Sequence, residues 1–227
     1  MKTEVYILLG PAAIGKTTYI KQAGFPKDKL AIISRDDIVA DISKKYNLSF
    51  DDLYRFPPPD AEIGTYTPGF ENCGRVIESP FVVKHLQSKS YEYLNSVNAE
   101  INYRFYNEFQ AAIRNKDINF VVVDRVHLRS YERNVYFDYL SIDRSGFVVT
   151  AVLFNFQDKD TLDLISEASA LRTKQLEESG ERVRTVSREV QEKMIKHYEP
   201  IKESDGFDSV VHVDTLPMIR QFLNEKK

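Results

Sequence analysis

Five apolar residues, Val5-Tyr6-Ile7-Leu8-Leu9, run directly into Gly10-Pro11-Ala12-Ala13-Ile14-Gly15-Lys16-Thr17-Thr18. A strand followed by GxxxxGK[ST] and then a helix leaves the chain few folds. Glycines let the backbone curl so that successive N–H groups point inward. A helix starting near Gly15 adds the positive end of its dipole, and the two together make a site for phosphate. Lys16 can reach the β- and γ-phosphates of a nucleotide, and the Thr17 hydroxyl can hold Mg²⁺. Thr18 to Ala23 continue the helix, with Gly24 placed as its C-terminal cap. Gly10, Ala13, Ile14, Gly15, Lys16, Thr17 and Thr18 are therefore the expected nucleotide-contact residues, with ATP and Mg²⁺ as the implied cofactors.

Composition narrows the setting of this loop. The 227 residues suit one domain, 1–227, with an insertion. Hydrophobic residues make up 42%, enough for a globular core. No apolar run approaches the roughly 18 residues of a membrane span, so no membrane partner is expected. The chain enters a strand at its start, which predicts no signal peptide. The single cysteine, Cys73, excludes an intramolecular disulfide and a cysteine zinc site, and points to the cytoplasm. The net charge of −3 provides no global attraction to nucleic acid, so an anionic substrate needs a local basic patch. Two patches qualify: Arg125, Arg129 and Arg133, and then Arg172, Lys174, Arg182, Arg184 and Arg188.

The pattern alternates strand and helix. Strands are expected over 4–9, 30–34, 118–124, 146–156 and 209–213, and helices over 15–23, 37–46, 91–114, 130–140, 160–178, 188–199 and 216–224. Nearly continuous apolar strands, such as Phe120-Val121-Val122-Val123, imply a mainly parallel sheet covered on both faces. In the third helix Leu94, Val97, Ile101, Phe105, Phe109 and Ala112 form one buried stripe. In the sixth, Ser187 is the expected cap, Val190 and Met194 should face inward, and Pro200 ends or kinks the helix. Residues 47–90 interrupt the alternation with Pro57-Pro58-Pro59, Pro68-Gly69, Pro80 and many aromatics. A stretch this long reads as an insertion on the acceptor side. The expected fold is a P-loop α/β domain with a five-stranded sheet, a helical lid over about 160–188 and that insertion.

Two further motifs lie at strand ends. In parallel α/β sheets ligands sit at the carboxyl ends of strands. That places Arg35, Asp36 and Asp37, after Ile32-Ile33-Ser34, near the mouth of the loop. A carboxylate there could accept the proton of an attacking hydroxyl, and its neighbour could cap the next helix. Physics alone does not say which of the two does which. The strand ending in Val123-Asp124-Arg125 offers an aspartate for Mg²⁺ or its water shell. Downstream, Arg172, Arg182 and Arg184 could bring cations over a triphosphate.

Taken together, these residues resemble the polynucleotide 5′-kinase branch of P-loop kinases, as found in phage nucleic-acid repair enzymes. The match rests on the GxxxxGKTT loop, the Arg35-Asp36-Asp37 step, the strand ending at Asp124, then Arg129 and Arg133. The arginine-bearing lid and a Gly206-Phe207-Asp208 turn complete it. It covers most of the chain outside about 47–90. The resemblance implies that Asp36 is the general base for a 5′-hydroxyl, with Asp37 supporting or capping. It also implies that Lys16 and Thr17 handle ATP·Mg²⁺, and that Arg172 acts on the β- and γ-phosphates. Arg35, Asp36, Asp124, Arg125 and Arg129 are then the expected substrate-side residues, with Thr17 and Asp124 on the metal. Val39 stands where the family often has an acceptor-binding arginine. Asp124-Arg125-Val126 replaces Asp-Thr-Asn, and Leu176 replaces a second lid arginine. The departures fall mostly on the acceptor half.

The expected activity is ATP-dependent phosphorylation of a hydroxyl on a nucleic acid, above all a 5′-OH end of DNA or RNA. Other acceptors fit the same donor half. A 5-hydroxymethylated pyrimidine of phage DNA would suit the aromatic insertion through stacking. A small molecule or nucleotide would suit the net charge. A toxin-like kinase of peptidoglycan sugar precursors shares parts of the layout. A binding module using ATP as a switch would have no use for the Asp36 carboxylate. If the chain is phage-encoded, its setting is the host cytoplasm.

Overall fold

The computed structural model describes residues 2–48, 91–157, 159–178 and 186–224. The described residues fall into two compact units, one of residues 1–32 and 115–227 and the other of residues 33–114. The expected insertion at 47–90 lies almost wholly outside the described residues, as do Arg182 and Arg184.

The first unit is organised by its strands. β1 (Thr3–Leu9), β3 (Phe120–Asp124) and β4 (Phe147–Phe154) are the apolar runs read from the sequence, and Val5, Ile7, Leu8, Val121, Val122, Val123, Val149 and Val152 are fully buried. Residues of both strand faces are thus covered, as a parallel sheet with helices on either side requires. The strand order is β2-β3-β1-β4-β5, with β2 at Leu30–Ser34 and β5 at Ser209–Val213. β1 runs parallel to β3 and to β4, and β4 runs parallel to β5. This is the five-stranded α/β sheet that the loop motif demands.

β5 departs from the expectation of cover on both faces. Val210 and Val211 are 40% and 41% exposed, because this strand closes one edge of the sheet. Polar ties hold it instead. The Asp208 carboxylate accepts the Val149 N–H, and the Thr150 and Ser209 hydroxyls share a hydrogen bond.

Helices complete this unit: α1 (Lys16–Gln22), α4 (Ser130–Leu140), α5 (Lys159–Glu178), α6 (Arg188–Lys196) and α7 (Leu216–Asn224). Leu8, Ile14, Ile20, Val152, Phe154, Phe156, Ile165 and Ile219 join in one apolar cluster, so the loop after β1 is anchored in the core. α6 ends at Lys196, before Pro200, and its cap is Ser187, whose hydroxyl accepts the Val190 N–H. The inward face differs from the sequence reading. Met194 packs on the core cluster, but Val190 is 36% exposed and the polar Gln191 is fully buried. Local apolar spacing could not weigh what Gln191 meets across the chain.

The second unit holds the end of β2, α2 (Arg35–Tyr46) and α3 (Tyr91–Arg114). Val97, Ile101, Phe105, Phe109 and Ala112 form the buried stripe of α3, while the Leu94 side chain is outside the described residues. Arg104 bridges Asp41, and Glu100 accepts from Lys45 and Tyr46, so charged pairs edge the α2–α3 seam. Among the described residues, no helix is long and apolar enough to cross a membrane.

Candidate functional site

The phosphate loop begins where β1 ends. Gly10 is closely packed: a Cβ there would stand 3.0 Å from Ile14 Cγ2 and 3.2 Å from Phe154 Cβ, so these side chains would have to give way. Its N–H donates to the Val126 carbonyl at 3.1 Å, which ties the loop to the chain leaving β3. Gly15 caps α1 at φ 99°, a conformation that only glycine takes without strain. Ala13 also has positive φ, 66°, where an L-residue with a Cβ is uncommon. Alternating such residues makes a concave run of N–H groups, an anion-binding nest. Ile14 points its side chain into the core, so only its backbone can serve a ligand.

Lys16 is the first residue of α1, and its ammonium donates to the carbonyls of Gly10 at 3.1 Å and Pro11 at 2.9 Å. Its charge is thus held across the loop. Thr17 and Thr18 lie in the first turn of α1 and are exposed. The α1 helix has seven residues, so the nest and the lysine carry the site more than its dipole does.

Asp124 reaches the same sheet edge through register. Ile7 of β1 pairs with Val123 of β3, so Asp124 ends its strand level with Leu8, two residues before the loop. Arg125 follows, partly buried. Arg129 precedes α4, its N–H donating to Glu132 Oε2 at 2.9 Å and its side chain lying over the exposed Tyr131 ring. Arg172 is exposed on α5, toward the end of the helix face that carries buried Thr161, Ile165, Ala168 and Ser169. Arg35 and Asp36 belong to the other unit. There Arg35 donates to Asn98 at 3.2 Å, and Asp36 and Asp37 are exposed in the first turn of α2.

Two sequence readings need correction. Neither aspartate caps α2: Ser34 does, its hydroxyl accepting the Asp37 N–H at 3.3 Å. Serine is among the strongest caps, and the helix starts two residues earlier than the pattern suggested. Arg133 is not a substrate cation. It is fully buried and pairs with Asp205 at 2.9 Å, and it also donates to the carbonyls of Leu128 and Glu199. Burial raises the Asp205 pKa, but hydrogen bonds from Arg133, the Lys202 N–H and Ser130 outweigh it and hold it below the usual carboxylate range. Of the second patch, Arg188 is engaged with Asp163 and Glu192.

His127 was not singled out from the sequence, and a lone histidine carries no signal there. It is fully buried with φ 49°. Its Nδ1 lies 2.8 Å from the Leu8 carbonyl and its Nε2 2.6 Å from the Tyr136 hydroxyl. A carbonyl can only accept, so Nδ1 carries the proton and Tyr136 donates to Nε2. Burial first, then the charges of Arg125, Lys16 and Arg133, push its pKa down to about 3 against the contact with Leu8. Neutral His127 thus braces the last turn of β1 before the loop.

Neither a protein-family model nor a curated protein matches the chain. Solved structures do. A "putative kinase" from Chloroflexus aurantiacus matches with a TM-score of 0.52 at 13% identity, covering 100% of both chains. A fungal RNA kinase matches at 0.48 and 15% identity, over 98% of this chain and 84% of that one. A structure from the PezAT toxin–antitoxin system of Streptococcus pneumoniae matches at 0.48 and 12% identity, over 100% and 88%. At these identities the likeness concerns the fold alone. With the parallel sheet and the loop geometry, the fold class is P-loop α/β.

Proposed function

We propose that the protein is an ATP-dependent kinase that transfers the γ-phosphate of ATP to a hydroxyl of a nucleic acid, with a 5′-OH end as acceptor. The observation that carries the donor half is the nest at Gly10–Gly15, with Lys16 held across it and Asp124 at the same sheet edge. A phosphate-free use of that geometry would not need two positive-φ residues around a lysine-bearing helix start.

Mg²⁺ fits the donors present. Thr17 and Asp124 offer hard oxygens, and among the described residues no cluster of three or more acidic, His or Cys side chains could form an all-protein cage. When bound with the phosphates, the ion would neutralise charge on the transferring group. The protein's own residues do the rest. The loop N–H groups and Lys16 hold the β- and γ-phosphates, and Arg172 supplies charge to the migrating group. Asp36 takes the proton of the acceptor hydroxyl as its oxygen bonds to the γ-phosphorus. The bond from that phosphorus to the bridging oxygen breaks, and ADP leaves. Since Ser34 supplies the cap of α2, helix capping does not explain the carboxylate at position 36. The acceptor assignment itself rests on the Arg35-Asp36-Asp37 resemblance.

The test is transfer of labelled γ-phosphate to 5′-OH DNA and RNA, a hydroxymethyluracil duplex, and a nucleoside and nucleotide pool. Label on the 5′-OH oligomers, lost in Asp36→Ala while ATP still binds, is the expected result. Full turnover by Asp36→Ala removes Asp36 as base. The net charge of −3 favours a second reading, a small acceptor such as a nucleotide. Transfer to an oligomer should weaken steeply with salt, whereas transfer to a small acceptor should not.

A further inference from the structure

Gln191 is the fourth residue of α6, among exposed Glu189, Val190 and Lys193, yet it is itself fully buried. Its amide Nε2 donates to the carbonyl of Ala12 in the phosphate loop, at 3.3 Å and 179 positions away in sequence. Its Oε1 is buried and has no hydrogen-bond partner among the described residues. A buried amide oxygen without a donor is destabilising relative to an apolar group of the same shape. Packing alone would favour methionine or leucine at this position. The polar side chain is explained by what its other end holds.

Across a trans peptide, the C=O and the following N–H point in opposite directions. Drawing the Ala12 carbonyl toward α6 therefore turns the Ala13 N–H away from α6. Ala13 sits at φ 66°, where alanine is strained and its own chemistry would not keep it. An external bond on the neighbouring peptide can. We propose that Gln191 is a positioning residue of the phosphate loop: its amide fixes the Ala12–Ala13 peptide plane so that the Ala13 N–H is presented to a nucleotide phosphate. The proposal rests on the reading of this loop as a nucleotide-phosphate site. It does not depend on which acceptor is phosphorylated. In sequence, α6 closely follows the segment carrying Arg182 and Arg184, so the bond also ties the loop to the helix downstream of those arginines.

The experiment compares wild type with Gln191→Met, which keeps length and removes the donor. ATP·Mg²⁺ affinity is measured by calorimetry, and the unfolding temperature is measured without nucleotide. The expected result is an unfolding temperature equal to or above wild type, with ATP bound about tenfold more weakly, as the loss of roughly one hydrogen bond implies. A merely structural glutamine would lower both together, or lower only the unfolding temperature; either result overturns the proposal, as does unchanged affinity. A second readout needs no variant. On adding ATP to the wild type, the Ala13 amide resonance should be among the most shifted, and an unmoved Ala13 amide overturns the assignment. Wild type that binds no ATP overturns the phosphate-site reading itself. That outcome is distinct from a wild type that binds ATP and a variant that binds it equally well.

Discussion

Arg133 and Lys16 anchor two polar clusters of the same unit, and the clusters are built on opposite rules. Around Arg133 both terminal guanidinium nitrogens are engaged, with Asp205 and with carbonyls from two separate segments. Asp205 in turn accepts from Ser130 and from the Lys202 N–H. That cluster joins the start of α4 to the turn before β5, and its charges are buried and paired, although Arg133 Nε has no hydrogen-bond partner among the described residues. Around Lys16 the backbone takes positive φ at Ala13 and Gly15 and is strained at the alanine, the threonines of the first turn are exposed, and the Gln191 Oε1 has no donor among the described residues. Paired buried charge serves architecture, whereas backbone strain gathers where a ligand is to be held.

The contrast is broken most directly at Arg133. Arg133→Ala leaves Asp205 buried without its counter-charge and should cost about 3–5 kcal/mol of stability. Urea unfolding reads that loss, and ATP affinity of the folded fraction should stay at the wild-type level. A cost below about 1 kcal/mol, typical of an exposed ion pair, would remove the architectural role.

His127 lies between the clusters and sharpens the comparison through pH. Its folded pKa, about 3, lies below the ordinary 6.5, so the unfolded chain binds the proton more readily. Its contribution is therefore fully present above pH 6.5 and is lost as pH falls toward 3. The slope is about 1.4 kcal/mol per pH unit, or roughly 2 kcal/mol lost by pH 5. His127→Gln should flatten stability across that window, as followed by urea midpoints at several pH values. An unchanged slope would mean other groups carry the acid sensitivity.

The smallest effect separates strain in the loop from strain elsewhere. Gly15→Ala and Gly24→Ala each force alanine to positive φ, at 99° and 72°, with no Cβ contact closer than 3.8 Å at the first and none within 4 Å at the second. Each should cost about 1–2 kcal/mol in thermal unfolding. Only Gly15→Ala should also weaken ATP binding. Equal affinity in the two variants would place Gly15 outside the phosphate site.

Much of the fold was legible because its signals are local. The apolar runs at 120–123 and 147–153 are β3 and β4, and β5 and α7 have the bounds the pattern suggested. The loop was legible for the same reason, since GxxxxGK[ST] is a contiguous device whose glycines answer to backbone geometry. Arg133 was misread because a guanidinium looks alike in sequence whether it meets solvent or Asp205, 72 residues away. Val190 and Gln191 exchanged faces because hydropathy ranks valine inward, whereas the partner of Gln191 lies 179 positions distant.

By itself the sequence determined the alternation of strands and helices, the phosphate loop and its lysine, and the strand-end position of Asp124. Each follows from residues adjacent along the chain, through hydrophobic period, φ preference and capping. Only the tertiary structure decided which buried polar groups are matched, which are strained and which are left wanting. His127 between Leu8 and Tyr136, Arg133 on Asp205 and Gln191 on Ala12 are all long-range contacts. Their energies come from desolvation and hydrogen-bond geometry, and neither exists until distant segments meet.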